Sequence, residues 1–552
     1  MLDGDWVLHP GMLDSAVQAS IGLLLQQTDG LNQTLLPFAL EQLNVYGPCR
    51  PVMWALICAD RCDQSSAVQR IDIELCDEQG QIAVSFHGLS SRPLNGGRRR
   101  RIAADNPLPA GLSLLAPKWF IAGSASATRQ ALPTLAIGAA GERRDWLAGR
   151  HPQIEFLSSL APTIDGIAAQ LAACAPFQRL IWLAPQPLAD FADQRLLDSR
   201  EQSVLALFRL IKALLQLGYQ QRALELQLIV TASIAVRTGE PQAPEQAACH
   251  GLVGSLAKEY EHWRVELIDL PADTKPLPVA MPEQTLPGEC LAWRDGEWFC
   301  QRLLPLAERA RTNDGEVRYR EGGVYLVIGG AGGIGEVWTR HVISHCRAKV
   351  IWLGRRAADD EINGKLEALA QFGQEYNAPA PLYIQADATN VGQLTRARRQ
   401  VVEEFGPING LVHSALVLDD GRLEQMDEAQ FTACLDAKML TSVRMAQVFA
   451  PADNPALDFV LFFSSMIAFS RATGQSNYAA GCTFADAFAA QLNQHWSCAV
   501  KVINWGYWGS VGVVADPGYR ARMAERGWAQ SSRTRAWRRW IVCWPVRYRS
   551  WA

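Results

Sequence analysis

Apolar and polar positions divide the chain into stretches with different rhythms. Residues 71–75 and 81–86 alternate with period two on either side of the turn Asp77-Glu78-Gln79-Gly80, as paired, half-buried strands do. Ahead of them, residues 12–18 read as a helix opening that runs into Gly22-Leu23-Leu24-Leu25. A helix wrapped by an antiparallel sheet, a single α+β unit, is predicted for residues 1–95. From 106 to 305, apolar strands at 179–183, 226–230 and 264–268 alternate with amphipathic runs such as 203–217. That alternation predicts a parallel α/β sheet. None of these strands is predicted to open into a Gly-rich turn, so this stretch reads as a supporting half without a nucleotide site. Residues 318–530 repeat the strand–helix alternation, with strands at 324–328, 349–353, 383–387, 410–415 and 459–463.

Composition adds limits. Of 552 residues, 49% are hydrophobic and 20% charged, a globular balance that excludes wholesale disorder. The net charge of −4 gives no reason to expect a nucleic-acid partner. The total is uneven, because residues 531–552 carry six Arg and no acid, which leaves −10 for the rest. This Arg- and Trp-rich tail has no burying periodicity, and a shifted reading frame is the expected cause. The start of the chain lacks a basic, apolar leader, and the most apolar run, 459–469, is about half the ~20 residues of a membrane span. Thirteen Cys are too sparse for a disulfide scaffold, and Cys58 and Cys62 have no second pair at zinc-ligand spacing. No metal and no membrane are expected, and a cytoplasmic location with reduced thiols is. Gly96-Gly97-Arg98-Arg99-Arg100-Arg101, running into Asn106-Pro107-Leu108-Pro109, reads as an interdomain loop, and residues 308–323 as a second linker.

The chemistry concentrates in the third stretch. The strand 324–328 breaks into Gly329-Gly330-Ala331-Gly332-Gly333-Ile334-Gly335, and a helix is predicted from Glu336. Gly330, Gly332 and Gly335 satisfy GxGxxG, which lets backbone approach a pyrophosphate and points a helix N-terminus at it. A tight structural turn or a methyltransferase loop produces the same pattern. The next strand ends in Gly354-Arg355-Arg356, where an NAD site would carry an acid. Two Arg suit a 2′-phosphate, and hence NADPH, unless they are simply solvated. Asp387, followed by Ala388, ends another strand, placed for an adenine amino group. His413, Ser414 and Ala415 end a third, small enough for close approach of a cofactor.

The strand 459–463 delivers Ser464 and Ser465, and Tyr478 follows in Gln475-Ser476-Asn477-Tyr478-Ala479-Ala480-Gly481. Hydride reduction of a ketone requires a proton for the nascent alkoxide. A Tyr of pKa ~10 delivers it quickly only beside a cation.

This stretch resembles the ketoreductase domain of modular polyketide synthases. In ordinary short-chain dehydrogenases the cation is a Lys four residues after the Tyr, which here is Cys482. In the ketoreductase branch it lies upstream, and Lys438 in Cys434-Leu435-Asp436-Ala437-Lys438 falls at the matching place. The resemblance implies that Ser465 holds the substrate carbonyl, Tyr478 protonates it and Lys438 tunes Tyr478 and holds the ribose. Cys482 replaces an Asn common in that branch, and Ile328 stands where the family often has Thr. The segment Tyr478 to Phe484 looks like the variant in assembly lines with trans-acting acyltransferases. Leu418-Asp419-Asp420 resembles the fingerprint of enzymes giving D-configured β-hydroxyacyl products, which makes Asp420 a stereocontrol candidate; Ser470 stands where the opposite class has Trp. The stretch 106–305, with Gly251 to Tyr260 and Ile268-Asp269-Leu270, resembles that family's structural subdomain.

His9-Pro10-Gly11-Met12-Leu13-Asp14-Ser15-Ala16-Val17-Gln18 resembles the second hotdog motif of polyketide synthase dehydratases, with Leu36-Pro37-Phe38 and Val45-Tyr46-Gly47 as strand signatures. Asp14 would match the catalytic acid. The partner His belongs to a first hotdog, and His9 is structural in the family, so Asp14 stands unpaired and no dehydration is expected from this chain alone.

Taken together, the resemblance implies an α/β-dominated chain. A truncated Rossmann-like structural subdomain (106–305) and a Rossmann-fold, short-chain-dehydrogenase-type catalytic subdomain (318–530) follow a single α+β hotdog unit (1–95). The implied activity is NADPH-dependent reduction of a β-ketoacyl thioester on the phosphopantetheine arm of an acyl carrier protein, among other synthase domains. A non-catalytic remnant that at most binds NADPH or docks to neighbouring domains is the alternative.

Overall fold

The alternating segments near the start pair into a sheet. In the computed structural model β1 (Leu35–Ala39), β2 (Gln42–Val45), β3 (Trp54–Ala59), β4 (Gln69–Cys76) and β5 (Ile82–Pro93) are all antiparallel, in the order β1-β5-β4-β3 with β2 also on β5. The Asp77 carboxylate accepts the N–H groups of Gln79 and Gln81, both at 3.0 Å, which closes the turn between β4 and β5. Ile73, Leu75, Val84 and Phe86 point to one face and bury with Ala16 of the helix Pro10–Ala19, flanked by Leu13 and Val17. This is the predicted helix on an antiparallel sheet.

The structure describes residues 10–19, 35–50, 52–59, 69–93, 115–122, 131–188, 194–272, 286–305, 319–508 and 512, and divides the chain into Met1–Pro107 and Leu108–Ala552. Asp14 and Gln18 lie on the first helix, but their side chains are outside the description. So are His9, the Arg98–Arg101 loop, most of the 308–323 linker and the 531–552 tail.

The second unit holds two sheets. The first comprises β6 (Leu115–Ile121), β7 (Thr134–Ile137), β8 (Ile154–Leu157), β9 (Arg179–Leu183), β10 (Leu224–Thr231), β11 (Trp263–Leu270), β12 (Cys290–Arg294) and β13 (Glu297–Pro305), in the order β6-β13-β12-β11-β10-β9-β7-β8. From β8 to β12 the neighbours are parallel, while β12, β13 and β6 are antiparallel. The parallel part follows the doubly wound order with one strand missing. One expectation is corrected here. β7 does open into a glycine turn, Gly138-Ala139-Ala140-Gly141, with φ of +80° and +52° at the two glycines. The turn is closed by packing, since a Cβ at Gly138 would meet the Leu183 carbonyl oxygen at 2.8 Å.

The second sheet comprises β14 (Val324–Ile328), β15 (Lys349–Gly354), β16 (Leu382–Gln385), β17 (Gly410–His413), β18 (Phe459–Ser465) and β19 (Ala499–Trp505). It is wholly parallel, in the order β16-β15-β14-β17-β18-β19. This is the Rossmann order, with its switch point between β14 and β17. The apolar runs fit because strands covered by helices on both faces are buried throughout; β14 is buried along its whole length.

The helix Pro244–Glu259 packs on the helix Ser476–His495, joining the two sheets of this unit. Close approach is possible because a Cβ at Gly251 would overlap the backbone of Ala479 and Ala480. Arg209 is bonded to Glu428, and Lys212 Nζ donates to the carbonyls of Leu423 and Glu424 at 2.8 Å each. Among the described residues, no helix is long and apolar enough to cross a membrane.

Candidate active site

A cleft of about 1680 Å³ opens at the C-terminal ends of the parallel strands of the Rossmann sheet. Its floor begins at the turn after β14. Gly329 has φ +80°, and a Cβ there would sit 2.8 Å from the Ala415 nitrogen. The following helix spans Gly333–Cys346, ahead of its predicted start at Glu336, because the glycines that lower helix propensity still occupy its first turn. Gly332 caps this helix without a side-chain hydrogen bond. Gly332, Gly333 and Ile334 at its start line the cleft, where the first amides of a helix suit an anion.

The glycines divide by role. Gly329, Gly332, Gly333 and Ile334 line the cleft. Gly330 and Gly335 do not: a Cβ at Gly330 would overlap the Trp352 indole, and one at Gly335 would meet the Gly330 carbonyl at 2.7 Å. They let strand, turn and helix pack together. Lys365, which local pattern did not single out, reaches across to donate to the Ala331 carbonyl at 3.0 Å.

Arg355 and Arg356 are exposed at the rim after β15. Arg356 lies near Asp359 and Glu361, at 3.3 and 3.5 Å, whereas Arg355 has no ion pair among the described residues. Asp387 lines the cleft with Ala388, and its Oδ1 accepts from the N–H and hydroxyl of Thr389 at 2.9 and 2.8 Å. Ser414 and Ala415 line it too. His413 does not: it is buried behind the cleft, with Nε2 3.5 Å from the Lys438 carbonyl, and burial beside Lys438 holds its pKa well below the usual value. A neutral imidazole there supports the helix that carries Lys438.

Ser465 ends β18, and its hydroxyl accepts the Ile467 N–H at 3.2 Å. Tyr478 lies in the first turn of the helix Ser476–His495, half-buried. Lys438 projects from the helix Glu428–Val448 and is 3% exposed, with Nζ donating to the Phe463 carbonyl at 2.7 Å. Three separate elements thus bring Ser465, Tyr478 and Lys438 to one cleft. Burial lowers the Lys438 pKa, opposed by the nearby Cys482 and Asp486. Cys482 shares hydrogen bonds with Ser464 and Tyr478, and burial pushes its thiol up to about 11, so it is neutral near pH 7. Burial also raises Asp486 to about 6, against the pull of its Ser464 and Asn504 partners and of Lys438. Asn504 Nδ2 donates to Asp486 at 2.7 Å and to the Ser465 carbonyl at 3.2 Å.

Asp420 is exposed and lies outside the cleft lining, while its neighbour Leu418 is within it. Its carboxylate accepts from Gln475 Nε2 at 3.0 Å, and Asn477 Nδ2 donates to the Asp419 carbonyl at 2.7 Å. The fingerprint loop is thereby tied to the segment leading into Tyr478.

A Rossmann domain with a Ser, a Tyr and a buried Lys lining the cleft at its strand ends has the build of a short-chain oxidoreductase. Comparison with known proteins narrows the class. Residues 323–510 match the KR domain family, and residues 2–101 match the family described as polyketide synthase dehydratase N-terminal domain. The chain is 40% identical over 547 residues to polyketide synthase PksN of Bacillus subtilis (strain 168), and 38% identical over 535 residues to PksM of the same organism. Each alignment covers 95% of this chain but only 10% and 12% of those relatives, so the chain spans about a tenth of their length. Among solved structures, an A1-type ketoreductase superposes with a TM-score of 0.63 at 22% identity, covering 78% of this chain and 90% of that one. Residues 323–510 thus carry a KR domain and residues 2–101 a polyketide synthase dehydratase domain match, within a stretch that the chain shares with these synthases.

Proposed function

We propose that the second unit is an NADPH-dependent ketoreductase, acting on a β-ketoacyl thioester carried by the phosphopantetheine arm of an acyl carrier protein. The observation that carries this reading is the Lys438–Phe463 bond, which holds a buried Lys in the same cleft that Ser465 and Tyr478 line and that begins at the glycine turn. The glycine turn and the uncapped amides of the Gly333–Cys346 helix suit the pyrophosphate, and Arg355 with Arg356 suit the 2′-phosphate. Bound NADPH supplies the hydride. Ser465 orients the substrate carbonyl through its hydroxyl, and Tyr478 donates its phenolic proton to the oxygen as negative charge builds there. The Lys438 ammonium lowers the cost of the phenolate left behind.

In this reading the first unit is one hotdog of a dehydratase; the Asp14 motif favours the second, whereas the family that matches residues 2–101 is described as the N-terminal domain. It is silent alone because elimination needs a base as well as an acid. The carrier protein and the other synthase domains are the implied partners, in the cytoplasm.

The test follows NADPH oxidation with the acetoacetyl thioester of N-acetylcysteamine. Turnover by the wild type and its loss in Tyr478→Phe are expected. No turnover, or turnover unchanged in Tyr478→Phe, would leave the remnant reading in its place.

A further inference from the structure

The helix Pro244–Glu259 belongs to the half of the second unit outside the Rossmann sheet, yet its last residue reaches two loops of the cleft. Glu259 Oε2 accepts the Leu423 N–H at 2.8 Å, and Oε1 accepts the Gly474 N–H at 2.9 Å. Leu423 follows the Leu418-Asp419-Asp420 segment, and Gly474 precedes Gln475 and Tyr478. The two loops also meet directly, Gly421 N–H donating to the Gly474 carbonyl at 2.9 Å and Gln475 Nε2 to Asp420 at 3.0 Å. Gly474 has φ +79°, a conformation that suits glycine and aims its amide at the carboxylate. Leu423 is gripped from its other side as well, its carbonyl accepting from Lys212 at 2.8 Å. The preceding residue, Lys258, bonds the Ser470 carbonyl and itself lines the cleft.

We propose that Glu259 is a specificity-determining positioning residue, whose single carboxylate straps the 418–423 loop to the 470–475 loop and so fixes which face of the substrate ketone meets the hydride. The inference rests on the ketoreductase reading. A carboxylate offers one full acceptor oxygen to each amide, a geometry that neither loop can supply for itself. A carboxamide keeps one acceptor and turns a donor toward the other N–H, so one loop is released. With the strap open, the ketone can enter in either orientation, while the cofactor turn keeps its own packing against Trp352 and Ala415.

The experiment uses the full chain, NADPH and acetoacetyl-N-acetylcysteamine, with chiral analysis of the β-hydroxybutyryl product. Glu259→Gln is expected to lower the ratio of the two product enantiomers by about tenfold, the scale of one lost charge-assisted hydrogen bond. Its Kd for NADPH should stay within about twofold of the wild type, and Glu259→Asp should recover part of the ratio. A purely structural role would weaken NADPH binding and rate together and leave the ratio alone; that result overturns the proposal. Wild-type protein that makes no product fails the ketoreductase reading instead. Should Glu259→Gln not fold, hydrogen exchange in the wild type decides: peptides holding the Leu423 and Gly474 amides are expected to be protected, and free exchange at both overturns the strap.

Discussion

Gly251 lies so close to Ala479 that a Cβ on the glycine would overlap the carbonyl carbon of its partner. Ala479 directly follows Tyr478 in the sequence, so the proposed proton donor sits on a helix that packs closely on the supporting half. Gly251→Ala must push the two helices apart. A cost of about 1–3 kcal/mol is expected from overpacking, read as a lower denaturation midpoint, together with slower ketone reduction.

Tyr478→Phe removes the phenolic proton and leaves the ring. Turnover should fall by roughly 10²–10⁴, the usual range for a positioned general acid. NADPH binding, followed by fluorescence titration, should change little.

Arg355 is the rim cation without an ion pair among the described residues, while Arg356 lies near Asp359 and Glu361. Arg355→Ala should therefore cost more NADPH affinity than Arg356→Ala, by about tenfold, with little effect on NADH. Titration of both variants with both nucleotides checks the order.

His250 is buried in the supporting half, 2.7 Å from the Ser233 hydroxyl, and burial, aided by Arg471, lowers its pKa to about 3. The unfolded chain takes up that proton near pH 6.5. Its contribution to stability is thus fully present above pH 6.5 and is lost as pH falls toward 3. At pH 5 the loss should reach about 2 kcal/mol relative to pH 7. Urea denaturation of the wild type and of His250→Asn at both values should show a weaker pH dependence in the variant, whatever the cost of the substitution itself.

Local pattern carried five of the six strands of the Rossmann sheet, all but β19, and marked Ser465 and Tyr478 as candidates; Lys438 was singled out only by the resemblance to the ketoreductase family. Local pattern did not single out β7, and so the closed turn at Gly138–Gly141 was not expected. His413 was expected at the cofactor because its strand ends in small residues; alternation along that strand instead turns its ring inward. Lys365 and Glu259 were illegible for another reason. The bonds of Glu259 span 164 and 215 residues, and only tertiary contact gives them meaning. The tail and the Asp14 side chain lie outside the described residues.

The Gly330–Trp352 contact carries a consequence for how this chain can vary. The Trp352 indole lies where a side chain at 330 would go, and its Nε1–H is tied to Thr339 at 2.8 Å. The ring cannot step aside without abandoning that bond. Any residue larger than glycine at position 330 is therefore tolerated only if position 352 shrinks with it, so these two sites, one in the turn after β14 and one on β15, are expected to change as a pair or not at all.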